Sequence, residues 1–184
     1  ARGWKKPSVG FAQHLAFNAP CAFWSPVDRF STFVRNLFFL HLPFEALIYG
    51  YLLLPGFYCE KLPFKKTLDF IGVNYYTREF IHFAGTGFPE IMGNACSLDH
   101  HREVASRDTM GWESYPEGLH RVLVDLKRFR LPVMITENGT CTDDDRNRWD
   151  FILGHVRMVA KAIQAGVPVL GYLYWSLLDN FEWA

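Results

Sequence analysis

Four short apolar runs alternate with segments of helical periodicity, and that alternation constrains the fold more than any other feature of the chain. The runs cover 8–15, 67–75, 132–136 and 167–174. In the second, Leu68, Phe70, Ile71 and Val73 form the kind of stretch a strand uses when a parallel sheet buries both of its faces. Asp28 to Leu40 reads as a helix with an acidic residue near its N-terminus. Pro116 suits a first helical position, and Leu119, Val122, Leu123, Leu126 and Phe129 then recur at three- and four-residue spacing. Phe151, Ile152, Val156, Val159, Ala160 and Ile163 mark another helix, which Gly166 can end in the left-handed conformation. The stretch after Leu15 and the span from about Arg78 to Glu113 read as loops. Leu37 to Pro55 reads as core helix and loop, because His41, Pro43 and Glu45 interrupt it too often for a membrane span.

Such alternation implies an α/β fold with a parallel sheet and right-handed crossovers. The visible units amount to roughly half of an eight-unit (β/α)8 barrel, which takes about 250 residues. A half barrel would expose two sheet edges and an uncovered apolar interior.

Charge narrows the function. Nineteen basic and nineteen acidic residues cancel without any basic cluster, so the electrostatic footprint of a nucleic-acid binder is missing and the expected ligand is neutral. Aromatic residues make up 17% of the chain, most of them core material, yet their abundance also suits a site where apolar sugar faces pack on rings. Cys21, Cys59, Cys96 and Cys141 are far apart, with no C-x-x-C and no paired His spacing, which argues against both a disulfide framework and a zinc site. They read as reduced, and the compartment as cytoplasmic. His100 and His101 are adjacent, so on an extended chain they point apart, and no other ligand is spaced to join them.

Three motifs carry the chemistry. Ile135-Thr136-Glu137-Asn138-Gly139 puts a carboxylate at the C-terminal end of an expected strand, where a barrel delivers its catalytic groups. Asp69-Phe70-Ile71-Gly72-Val73-Asn74-Tyr75-Tyr76-Thr77 precedes it, and Trp175-Ser176-Leu177-Leu178-Asp179-Asn180-Phe181-Glu182-Trp183 follows it. In type, order and spacing these segments resemble the family 1 glycoside hydrolases, the retaining β-glucosidases, from about Ser8 to Ala184. The resemblance implies a (β/α)8 TIM barrel of which residues 1–184 are the C-terminal half, strands 5 to 8, with no complete independent domain. The family's acid/base glutamate, in a Thr-Phe-Asn-Glu-Pro motif, belongs to the upstream half. Phe17-Asn18-Ala19-Pro20 looks like that motif with Ala for Glu, but its place in the chain makes it a coincidence.

By the same resemblance Glu137 is the nucleophile and Tyr76 the phenol that orients it. Asn74, Trp175, Glu182 and Trp183 bind the sugar, Trp175 by stacking, and Trp112 lines the aglycone side or packs. A glutamate at position 182 would repel a 6-phosphate, so unphosphorylated β-glucosides are implied. Asp145, Arg148 and His155 match a helix pattern that looks structural. The implied partners are a β-glucoside or short β-linked oligosaccharide and the N-terminal half of the barrel, with no cofactor, metal, nucleic acid or membrane. The alternative is a non-catalytic sugar-binding or interaction fragment that lacks the acid/base residue.

Overall fold

A computed structural model describes residues 6–54, 58–97, 100–101, 104, 106–176 and 178. The first strand, β1, covers Gly10–His14, and β2 covers Phe17–Pro20. Helix α1, Pro26–Asn36, starts where Ser25 accepts a hydrogen bond from the Asp28 amide at 3.3 Å and Pro26 supplies a fitting first turn. A π-helical turn over Leu37–His41 leads into α2, Leu42–Tyr49. Pro43 has no amide hydrogen for the helical ladder, and the wider turn just before it accommodates that gap. Strands β3, Tyr51–Leu54, and β4, Tyr58–Lys61, pair antiparallel. Then come β5, Phe70–Asn74, β6, Arg78–His82, and the short β7, Asn94–Ala95. Helix α3, Pro116–Leu126, β8, Val133–Glu137, α4, Asp145–Gln164, and β9, Val169–Tyr172, complete the order.

The main sheet runs β1-β5-β8-β9, all parallel, so each strand pairs with the next of its set as in a barrel wall. Ile71, Val73 and Tyr75 of the β5 segment and Val133 and Ile135 of β8 are fully buried. They pack in one core with Leu119, Leu123 and Leu126, the apolar stripe read from the spacing in α3. Gly166, at φ +83°, lets the chain turn back after α4 toward β9.

Three stretches depart from the sequence reading. The segment after Leu15 is not all loop: β2 pairs parallel with β6, and β6 pairs antiparallel with β7 inside the span expected to be irregular. Leu37 to Pro55 ends in β3 rather than in helix and loop alone. Strands β2, β6 and β7 lack an apolar run and pair across up to 61 positions, so no local pattern reveals them. The small sheet extends the large one past its carboxyl ends, joined by Leu15 N–H to Asn74 O at 2.9 Å and Phe17 N–H to Thr77 O at 3.1 Å. Among the described residues no helix is long and apolar enough to cross a membrane.

His155 on α4 is fully buried, and its Nδ1 lies 2.8 Å from the Phe151 carbonyl, which can only accept, so Nδ1 carries the proton. Burial pushes this imidazole down to about 4. The unfolded imidazole titrates near 6.5, so acid charges the unfolded chain first; stability is full above about pH 6.5 and falls toward pH 4. By pH 5 the loss attributable to His155 should be on the order of 2 kcal/mol. Urea unfolding at pH 7 and pH 5 should show a drop that is smaller by that amount in His155→Gln, and equal drops would refute this assignment.

Candidate active site

The carboxyl ends of β5 and β8 meet where Tyr75 N–H donates to Glu137 O at 2.9 Å. A register shift between Val73 and Asn74 sets Asn74 opposite Glu137 rather than Thr136. There the Tyr76 hydroxyl donates to Glu137 Oε2 at 2.5 Å, the one side-chain bond to this carboxylate among the described residues. A phenol donating to a carboxylate restricts its rotamer. Asn74 Oδ1 accepts from Thr136 Oγ1 at 2.5 Å. With its oxygen so engaged, the Asn74 amide group is oriented as a donor.

Asn138 ties these strand ends to the last strand. It is fully buried, donates through Nδ2 to Tyr75 O at 2.7 Å and accepts at Oδ1 from the Tyr172 hydroxyl at 2.7 Å. Burial raises the Tyr172 phenol, which keeps it a donor. The Asn138 carbonyl accepts from Trp175 N–H at 3.1 Å. Gly139 then passes so close to the Trp175 carbonyl that a β-carbon would overlap it. Trp175, joined to Ser176 by a cis peptide, is 42% exposed.

A cleft of about 700 Å³ opens over this corner, lined by Asn74, Tyr76, Trp112, Glu137 and Trp175 among others. Five residues expected in one site are therefore together, and the ring of Trp112 lies 5.3 Å from that of Tyr76. The expected sugar-binding residues Glu182 and Trp183 lie outside the described residues.

Sequence reasoning missed two members. His14, at the carboxyl end of β1, lines the cleft and stacks on Tyr76 at 6.0 Å between centroids; its place at a strand end was the available signal. Asp108 accepts from the amides of Met110 and Trp112 at 3.0 and 2.9 Å and from that of Cys141 at 3.2 Å, so it holds the wall together. Arg78 fixes the same wall from behind, gripping Glu113 with Nε at 2.7 Å and Nη2 at 2.5 Å while its guanidinium lies over the Tyr115 ring. Asp145, Arg148 and His155 are in or against α4, as a structural role requires.

One expectation fails. His100 and His101 do not point apart; their rings lie 4.4 Å between centroids, because His101 adopts φ +61° and the left-handed turn cancels the alternation of an extended chain. Two cysteines join them, which the spacing in sequence concealed.

Comparison with known proteins identifies the family. The model of glycosyl hydrolase family 1 matches residues 58–184. A β-galactosidase of Pyrococcus woesei is 37% identical over 166 residues, 81% of this chain and 32% of that protein. The β-glycosidase from Pyrococcus horikoshii superposes with a TM-score of 0.81 at 33% identity, over 96% of this chain and 40% of its own. The β-glucosidase from Thermotoga maritima in complex with glucoimidazole gives 0.79 at 30%, over 97% and 44%. This chain thus spans about a third of the curated relative and four tenths of the solved ones, and its parallel sheet is part of their (β/α)8 TIM barrel.

Gly139→Ala should strain the junction of β8 with Trp175 and lower stability by about 1 to 3 kcal/mol. Urea unfolding reads it, and an unchanged midpoint would show that the approach of the two backbones is not tight.

Proposed function

We propose, since this chain belongs to glycosyl hydrolase family 1, that it supplies the nucleophile and much of the sugar-binding wall of a retaining β-glycosidase acting on terminal β-D-glucosyl residues. The observation that carries this reading is the Tyr76–Glu137 bond of 2.5 Å at the carboxyl end of a parallel strand, facing an aromatic cleft. Glu137 attacks the anomeric carbon as the bond to the leaving oxygen breaks, forming a covalent glycosyl intermediate that water then hydrolyses. Such chemistry needs a second carboxyl group about 5 to 5.5 Å away, which first protonates the leaving oxygen and then activates water. Asp108 has its oxygens occupied by backbone amides, so we assign that role to a glutamate from a complementary N-terminal half-barrel. Residues 1–184 are then half of a domain, inactive alone.

Trp175 offers its exposed ring to the sugar, Asn74 donates to it, and Trp112 faces the aglycone. Glu182 and Trp183 bind the sugar hydroxyls, and Glu182 excludes 6-phosphosugars by charge. The four free thiols favour a reducing, cytoplasmic setting. A second reading, a sugar-binding module without turnover, draws on the same engagement of Asp108.

The chain alone should not hydrolyse 4-nitrophenyl β-D-glucoside. Co-expressed with the N-terminal half of a family 1 enzyme it should, and a mechanism-based fluorinated glucoside should label Glu137. Glu137→Gln should abolish both hydrolysis and labelling, whereas Tyr76→Phe should lower kcat by about 10- to 100-fold, roughly 1.4 to 2.7 kcal/mol of barrel-imposed stabilisation. A folded complex that binds glucose yet is neither active nor labelled would favour the module.

A further inference from the structure

We infer that Cys21, Cys96, His100 and His101 form a tetrahedral Zn²⁺ site, apart from the glycosidase chemistry. One ligand atom from each residue can be chosen so that all four lie within 4.8 Å of one another. Cys21 Sγ is 3.5 Å from His100 Nδ1. Zinc bonds of about 2.3 Å to sulfur and about 2.0 Å to nitrogen span a tetrahedral edge of about 3.5 Å, so this pair is already at coordination spacing.

The fold builds the set from three separate pieces of chain. Cys21 directly follows β2 and Cys96 directly follows β7, the two strands that flank β6 on opposite sides. Their amides are held by Ile81 O and Phe80 O, each at 2.8 Å, which fixes both cysteines relative to β6. The left-handed turn at His101 brings the second imidazole to the same side as the first, and Phe80 braces it, with stacked rings 3.8 Å apart. His82 Nδ1, 3.6 Å from Cys96 Sγ, is placed to support that sulfur from outside the ligand set.

Two thiolates and two imidazoles are a donor set suited to zinc, and four protein ligands leave no position for a reacting water. The site is therefore structural. On binding, the two thiols release their protons to solvent and both sulfurs bond the cation. Arg107 carries the constraint toward the cleft, since it donates to His101 O at 3.3 Å and to Gly111 O at 2.8 Å, beside Trp112.

The test is metal binding by the reduced chain in its folded complex with the N-terminal half of a family 1 enzyme, titrated with Co²⁺ and then Zn²⁺. One equivalent of Co²⁺ should produce tetrahedral ligand-field bands with thiolate-to-cobalt charge transfer, and one equivalent of Zn²⁺ should remove them. Cys21→Ser and Cys96→Ser should each weaken Zn²⁺ binding by at least about 100-fold, and His82→Ala, outside the ligand set, by about 10-fold. Cys59→Ser should change nothing. A spectrum without thiolate charge transfer, or stoichiometric binding that survives Cys21→Ser with Cys96→Ser, would overturn the assignment. The wild-type spectrum decides even if a variant does not fold.

Discussion

The buried side chain of Asn138 is the constraint on which the corner depends. Parallel strands end with unpaired backbone groups, and at a barrel rim those groups must be satisfied without closing the site. Asn138 does this with a single amide: it takes the β5 carbonyl at Tyr75, accepts the Tyr172 phenol from β9, and its own carbonyl holds the Trp175 amide. Three strands are thereby fixed relative to one another immediately beside Glu137. A side chain of other length or polarity would leave at least one buried polar group unsatisfied, at about 1 to 3 kcal/mol each.

From that fixed point the cleft acquires its shape. Glu137 leaves β8 next to a phenol carried by the neighbouring strand, so the carboxylate position follows from sheet register rather than from loop conformation. The aromatic wall is held differently. Asp108 gathers backbone amides from in front and the Arg78–Glu113 pair anchors it from behind, so Trp112 sits on a polar framework rather than on the core.

That Asn74, Tyr76 and Glu137 lie at or just past strand ends was legible from the apolar runs, and strand ends in a parallel sheet converge; their roles came only from the resemblance to the family 1 glycoside hydrolases. The buried face of α3 was legible from spacing alone; in α4 only Phe151 and Val159 of the expected stripe are buried, beside His155, Met158 and Ala162, while Val156 and Ile163 face solvent. What escaped is what depends on long-range pairing: β2, β6 and β7 carry no apolar run to mark them, and Asp108 acts on backbone amides that no side-chain pattern reports. The Cys and His group is the sharpest case, because its members come from β2, β7 and one turn, and only the small sheet brings them together.

The register of the main sheet also carries an order of assembly. Gly10 pairs with Phe70 and Ile71 with Val133, closures of 60 and 62 residues, whereas Val133 pairs with Val169 over 36. Loop-closure entropy makes the shortest of these cheaper by about 0.5 kcal/mol than the longest. The β8–α4–β9 unit therefore has the lowest entropic barrier to parallel pairing, and the strand that bears Glu137 belongs to it. Geometry around the carboxylate is thus rooted in the most local parallel pairing among the described residues, with β5 and then β1 added as more distant partners.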